Sequence, residues 1–159
     1  MPGFRVALVM VVMIAGGSWS ALAQNQPADN MQIMMEKVKA DKKAVVAQNM
    51  GLTEGEAKGF WPIYDGYQND LAGINQRLID LIKTYANAYN ANTLTDDQAQ
   101  SLLANLIAIQ ESEVALQKTY IPKLSKVLPG KKVARYMQIE NKIRAGVKYQ
   151  LANGIPLAQ

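Results

Sequence analysis

Residues 52–89 read LTEGEAKGFWPIYDGYQNDLAGINQRLIDLIKTYANAY. Within this stretch Phe60, Ile63, Tyr67, Leu71, Ile74, Leu78, Ile82, Tyr85 and Tyr89 recur at steps of three or four. That is the spacing of one continuous face of an α-helix, sustained too long for a strand. The start is also written in the sequence. Thr53 is placed to accept from the free backbone N–H groups of the first turn, and Glu56, three residues on, is placed to reach back to the Thr53 N–H. Pro62 lies inside the pattern and removes one backbone donor. It predicts either a kink or a short opening helix divided from a long one.

The same start signal recurs at Leu94-Thr95-Asp96-Asp97-Gln98, with Thr95 as cap and Gln98 closing the box. The stripe that follows includes Leu102, Leu103, Leu106, Ile109, Leu116, Tyr120, Leu124 and Val127, with a second bend predicted at Pro122. Leu128-Pro129-Gly130 breaks this helix. A fourth is predicted over about 131–152, with Val133, Met137, Ile143, Val147 and Leu151 turned inward, and Asn153-Gly154 followed by Pro156 ends it. Toward the N-terminus, Met31, Met34, Met35, Val38, Val45 and Val46 predict a helix over roughly 29–48 that Gly51 stops. Strict alternation is absent, so no strand is expected. Short links between helices favour antiparallel neighbours. The predicted fold is all-α: an elongated four-helix antiparallel arrangement with long kinked helices.

The first 23 residues read as an address. Arg5 is followed by the apolar run Val6 to Ala15, then by Gly16, Gly17 and Ser18, and by Ala21-Leu22-Ala23. A basic start, a short apolar core and a small-x-small ending make a secretory signal peptide. The run is far short of the roughly 20 residues that span a bilayer. The alternative is a short anchor left uncleaved. The expected organisation is a signal peptide over 1–23 and a single helical domain over 24–159, in a periplasmic protein.

The chain has 159 residues and neither Cys nor His. Disulfides, iron–sulfur clusters, thiol nucleophiles, Ser-His-Asp triads and imidazole metal ligands are therefore excluded. A small exported domain without disulfides must be held by its core. The carboxylates give no paired acid–base arrangement: Glu111 and Glu113 point to different sides of a helix, and Asp96 and Asp97 sit where a helix N-terminus favours acids. Tyr64 and Tyr67, with Asp65 and Asp70, show no partner in the sequence that would tune a pKa. No catalytic residue, cofactor or metal is assigned, and an enzyme is not expected.

Charge is polarised. From Lys118 to Lys148 there are nine basic residues and one acid, Glu140; from Asp29 to Gln117 there are seven basic and twelve acidic residues. Three readings stay open at this level. They are a solvated face that also pairs with the acidic half of a second copy, a patch that attracts acidic polypeptide or anionic membrane, and nucleic-acid binding. The last lacks any recognised motif and is not expected.

Leu94-Thr95-Asp96-Asp97-Gln98 fits an LTxxQ pattern, and Leu52-Thr53-Glu54-Gly55-Glu56 repeats it with Glu in the Gln place. With a signal peptide and a helical mature chain, these boxes resemble the Spy/CpxP-type periplasmic proteins. The stretch from Val127 to Ile143 also resembles exported helical proteins grouped loosely with them. The resemblance implies a thin, curved, helical homodimer that acts without ATP as an envelope-stress chaperone or stress-signal inhibitor. The metal-binding relatives use His, which this chain lacks.

A holdase needs soft apolar patches that repack around many clients, and charge that draws them in. The client-binding candidates are Met31, Met34, Met35, Phe60 and Trp61, together with the basic Lys123, Lys126, Lys131, Lys132, Arg135 and Arg144. Each apolar member also fits an ordinary core or dimer seam, and the methionines fit a Cu(I) site by thioether chemistry. Expected partners are unfolded or envelope proteins, a second copy, and peripheral contact with a membrane or a membrane sensor. The alternative function is a non-catalytic signalling or structural bundle that inhibits such a sensor. If the leader reading is right, intact mass measurement of the exported protein will find a chain beginning at Gln24; a retained Met1 would refute it.

Overall fold

The computed structural model describes residues 41–158, and they form four helices and no strand. Helix α1 covers the described residues 41–50, α2 spans Glu54–Asn90, α3 spans Asp96–Ser125 and α4 spans Gly130–Gly154. The predicted helix before residue 41, with Met31, Met34, Met35 and Val38, lies outside the described residues, as does the leader. No described helix is long and apolar enough to cross a membrane.

Both predicted capping boxes form. The Thr53 hydroxyl accepts from the Glu56 N–H at 3.3 Å, and the Glu56 carboxylate accepts from the Thr53 N–H at 2.8 Å. Thr95 and Gln98 repeat the arrangement at 3.3 and 3.1 Å. Each box satisfies two donors that the helix itself cannot. Gly51 takes a positive φ of 55° between α1 and α2, a conformation that costs a glycine little. Pro62 and Pro122 both lie inside unbroken helices. The division of α2 at Pro62 into two helices therefore does not occur: the flanking turns bury Phe60, Tyr64 and Tyr67, and that burial holds the helix together across one missing hydrogen bond.

Helices α2 and α3 pack antiparallel. Gly59 lies against Val127, and a Cβ at Gly59 would sit 2.9 Å from a Val127 methyl carbon, so close approach requires glycine there. Further along, the Tyr67 and Tyr120 rings meet edge to face at 5.4 Å. The core is aromatic at this end: Phe60, Tyr64, Tyr67, Tyr120 and Tyr136 are all buried, with Val46 and Met50 of α1 closing it.

α4 departs from the sequence expectation. Its buried residues are Val133, Tyr136 and Glu140. Val147, expected inward, is 46% exposed, and Met137, Ile143 and Leu151 are only partly covered. The inward face runs through Tyr136 and Glu140 because a polar network fixes it there. Gln68 of α2 donates to the Tyr136 hydroxyl at 3.2 Å and to Glu140 Oε1 at 2.9 Å. Lys42 Nζ of α1 donates to Gln68 Oε1 at 2.8 Å and pairs with Glu140 Oε2 at 2.7 Å.

A buried carboxylate with its ammonium removed is left uncompensated, at about 3–5 kcal/mol. Lys42→Met should therefore lower unfolding stability in urea by about that much, while Lys42→Met with Glu140→Leu should recover most of it. Equal losses in the single and the double variant would show that the pair is not what holds α1 to α4.

Candidate functional site

No residue of α4 after Glu140 is fully buried: Val147 and Tyr149 are exposed, and Ile143 and Leu151 are only partly covered. A groove of about 480 Å³ remains between its second half and the α2–α3 pair. One wall is Leu78, Leu81, Ile82 and Tyr85 of α2, a second is Leu102, Leu103, Leu106 and Ile109 of α3, and the third is Leu151 and Ile155. The Tyr85 hydroxyl donates to the Pro156 carbonyl at 2.9 Å and ties the chain after α4 across this end.

The inner end of the groove is polar. Glu113, Gln110 and Lys148 line it. The Lys148 ammonium donates to the buried Glu113 carboxylate at 2.9 Å, and Arg144 stands 3.8 Å from the same oxygen while donating to the Tyr67 hydroxyl at 3.1 Å. Two cations against one carboxylate leave this cluster net positive. On the opposite side of the α2–α3 pair a second, more polar groove of about 490 Å³ is lined by Arg77, Asp80, Thr84, Ser101 and Asn105. Leu81, Leu102 and Ile109 line both grooves. The outer half of the α2–α3 hairpin is thus a single two-helix layer that cannot bury both of its faces. A mostly apolar cleft with a few polar groups at one end is the usual form of a binding site.

Sequence-predicted site residues scatter over the molecule. Met31, Met34 and Met35 lie outside the described residues. Phe60 is fully buried, in ring contact with Trp61, Tyr64 and Tyr136, and belongs to the core rather than to a surface patch. Trp61 is half-buried, with the Lys43 ammonium 5.2 Å from its ring centre. Lys126 and Lys131 are exposed at the α3–α4 turn, and Lys123 lies 4.1 Å over the Tyr120 ring. Lys132 pairs with Glu56 and donates to the Gly51 carbonyl, Arg135 donates to the Asn49 carbonyl, and Arg144 joins the Glu113 cluster. These three hold the fold with part of their charge. Thr53, Glu56, Thr95 and Gln98 act as caps.

Two features went unread in the sequence. Tyr67 and Asp70 do have partners, though Tyr64 has none for its hydroxyl: Tyr120 donates to Asp70 at 2.6 Å, and the Tyr67 hydroxyl accepts from Arg144. The buried Gln68, Glu113 and Glu140 were also missed, because apolar periodicity ignores polar residues. A lone acid among nine bases was the available signal for Glu140.

No protein-family model, curated protein or solved structure matches the chain.

Environment shifts the buried phenols upward. The hydrogen bond to Asp70, helped by burial, pushes Tyr120 up to about 12. Burial, then the Glu140 charge, raises Tyr64, Tyr67 and Tyr136, and the Tyr64 hydroxyl is buried without a hydrogen-bond partner. A phenol in the unfolded chain ionises near 10. The unfolded state thus loses its protons first, so this contribution to stability is intact below about pH 10 and is lost as pH rises from there toward 12. Urea midpoints should fall over that interval, and Tyr120→Phe should flatten the fall; a Tyr120→Phe profile that overlays the parent would remove Tyr120 from the account.

Proposed function

We propose that this chain is an exported, non-catalytic helical protein of the Spy/CpxP type that holds unfolded envelope polypeptides without ATP. The observation that carries the reading is the open apolar groove between α2, α3 and α4, with a net positive cluster at its inner end. An unfolded segment offers apolar side chains to Leu102, Leu106 and Leu151, while acidic residues beside it are drawn to Lys148 and Arg144. The repeated capping boxes and the leader expected from the sequence support the same reading.

A second copy fits the outer face of α3. Leu103 is 60% exposed, and Ile107, Val114 and Ile121 repeat on the same side at seven-residue intervals, all exposed. A row of this spacing suits a helix seam; Ile107, Val114 and Ile121 lie outside the groove lining, while Leu103 stands at its edge.

The test is suppression of aggregation of an unfolded client at low salt, without ATP, run beside a light-scattering mass measurement. The chain beginning at Gln24 should slow aggregation. Leu151→Asp, which places a charge in the groove at a partly exposed site near the end of α4, should weaken the effect several-fold with the melting temperature unchanged. No suppression by the parent, together with salt-sensitive capture of one folded partner, would replace this reading by the signalling alternative.

A further inference from the structure

The two ends of the described helices differ in charge. At the end formed by the start of α2 and the α3–α4 turn lie Lys58, Lys123, Lys126, Lys131, Lys132 and Arg135, against Glu54 and Glu56 alone. At the other end, over residues 77–97 and 148–158, three basic residues meet three acidic ones. The groove is at that balanced end.

The basic end also breaks a rule that α2 and α3 keep. α2 and α3 begin with capping boxes and with acids in the first turn. α4 begins after Pro129 with no side-chain cap and no acid in its first turn, and it carries Lys131 and Lys132 there. Positive charge at a helix N-terminus opposes the helix dipole. Lys132 is compensated by Glu56 and the Gly51 carbonyl. Lys58, Lys126 and Lys131 have no hydrogen bond or ion pair among the described residues, and all three are exposed. Local rules broken without compensation inside the fold are expected where a partner supplies it.

We propose that this end docks on a bilayer surface bearing anionic phospholipid. Three free ammonium groups stand on three different elements, the second turn of α2, the end of α3 and the start of α4, around a turn whose Ser125, Lys126, Pro129, Gly130 and Lys131 are all exposed. Charges spread in this way suit an extended negative surface better than one ion. From Lys58 to Ile82, α2 rises about 36 Å, so a molecule seated by its basic end carries its groove well clear of the bilayer. The proposal stands on charge placement and does not depend on the holdase reading.

The test is cosedimentation of the chain beginning at Gln24 with vesicles of phosphatidylcholine alone and of phosphatidylcholine mixed with phosphatidylglycerol. Binding is expected only to the second, with steep loss as salt rises. Lys58→Gln, Lys126→Gln and Lys131→Gln should each weaken it about fivefold, the equivalent of one basic residue at an anionic surface. Lys83→Gln, at the other end, should leave it unchanged, and circular dichroism should be the same for all. Equal binding to both vesicles, or equal loss in K83Q and K131Q, overturns the proposal. So does displacement by inorganic phosphate beyond that by chloride at matched ionic strength, which would mark a discrete ion site. Binding to polyglutamate but not to the phosphatidylglycerol vesicles overturns it in favour of an acidic polypeptide.

Discussion

The carboxylate of Glu140 is the point on which the packing turns. It lies almost wholly out of solvent, and a charge in that position is tolerated only when its oxygens are filled. Lys42 fills one and Gln68 the other, so α1, α2 and α4 are held at one register. The Phe60, Tyr64, Tyr67 and Tyr136 rings then pack around that point through edge-on and tilted contacts. Hydrocarbon burial supplies most of the stability, and the polar network decides which hydrocarbon faces meet. Beyond Glu140, α4 meets α2 and α3 through polar contacts, Arg144 to Tyr67 and Lys148 to Glu113, and the apolar faces beyond them stay apart around the groove.

This division separates two kinds of surface along the same helices. Near the α3–α4 turn the molecule is tightly packed and strongly basic; beyond Glu140 it is loosely packed, apolar and nearly balanced in charge. A packed aromatic core resists the local opening that a yielding binding surface needs. The two lie at different ends, and no residue of the Lys42, Gln68, Tyr136 and Glu140 network lines the groove. The Tyr85 bond to the Pro156 carbonyl ties the chain after α4 across that end, beyond the Arg144 and Lys148 pairs with Glu113.

The sequence made α2 and α3 legible because two independent signals agreed at each: a capping box at the start and apolar periodicity after it. The helix starts at Glu54 and Asp96 follow from Thr53 and Thr95 directly. α4 was legible as a helix but not in its facing, since Met137 and Val147 outweigh Tyr136 and Glu140 on any apolar count, while a buried ion pair depends on Lys42, which is 98 residues away. The groove was illegible for a related reason. Leu102, Leu106 and Leu151 have the spacing of core residues, and nothing in that spacing tells that they stand partly open around a groove. Phe60 failed as a surface candidate in the reverse sense: an aromatic pair beside a proline looks prominent in a sequence, yet its neighbours Tyr64 and Tyr136 enclose it.

An open apolar groove also sets the strength of any contact made in it. Buried apolar area contributes about 25 cal/mol per Å², but association first loses translational freedom and the ordering of a flexible partner. A cleft that is open along its length and has one charged cluster at its end offsets those costs only partly, so it favours brief contacts with many apolar sequences over one tight complex. Adding a second, salt-sensitive attachment at the opposite end changes the search rather than the contact. A protein held at a surface meets newly arriving chains there at raised local concentration, and weak individual contacts then suffice. Under the proposed reading, the charge asymmetry and the weakness of the groove would serve one task, and neither would require the Cys or His chemistry that the chain lacks.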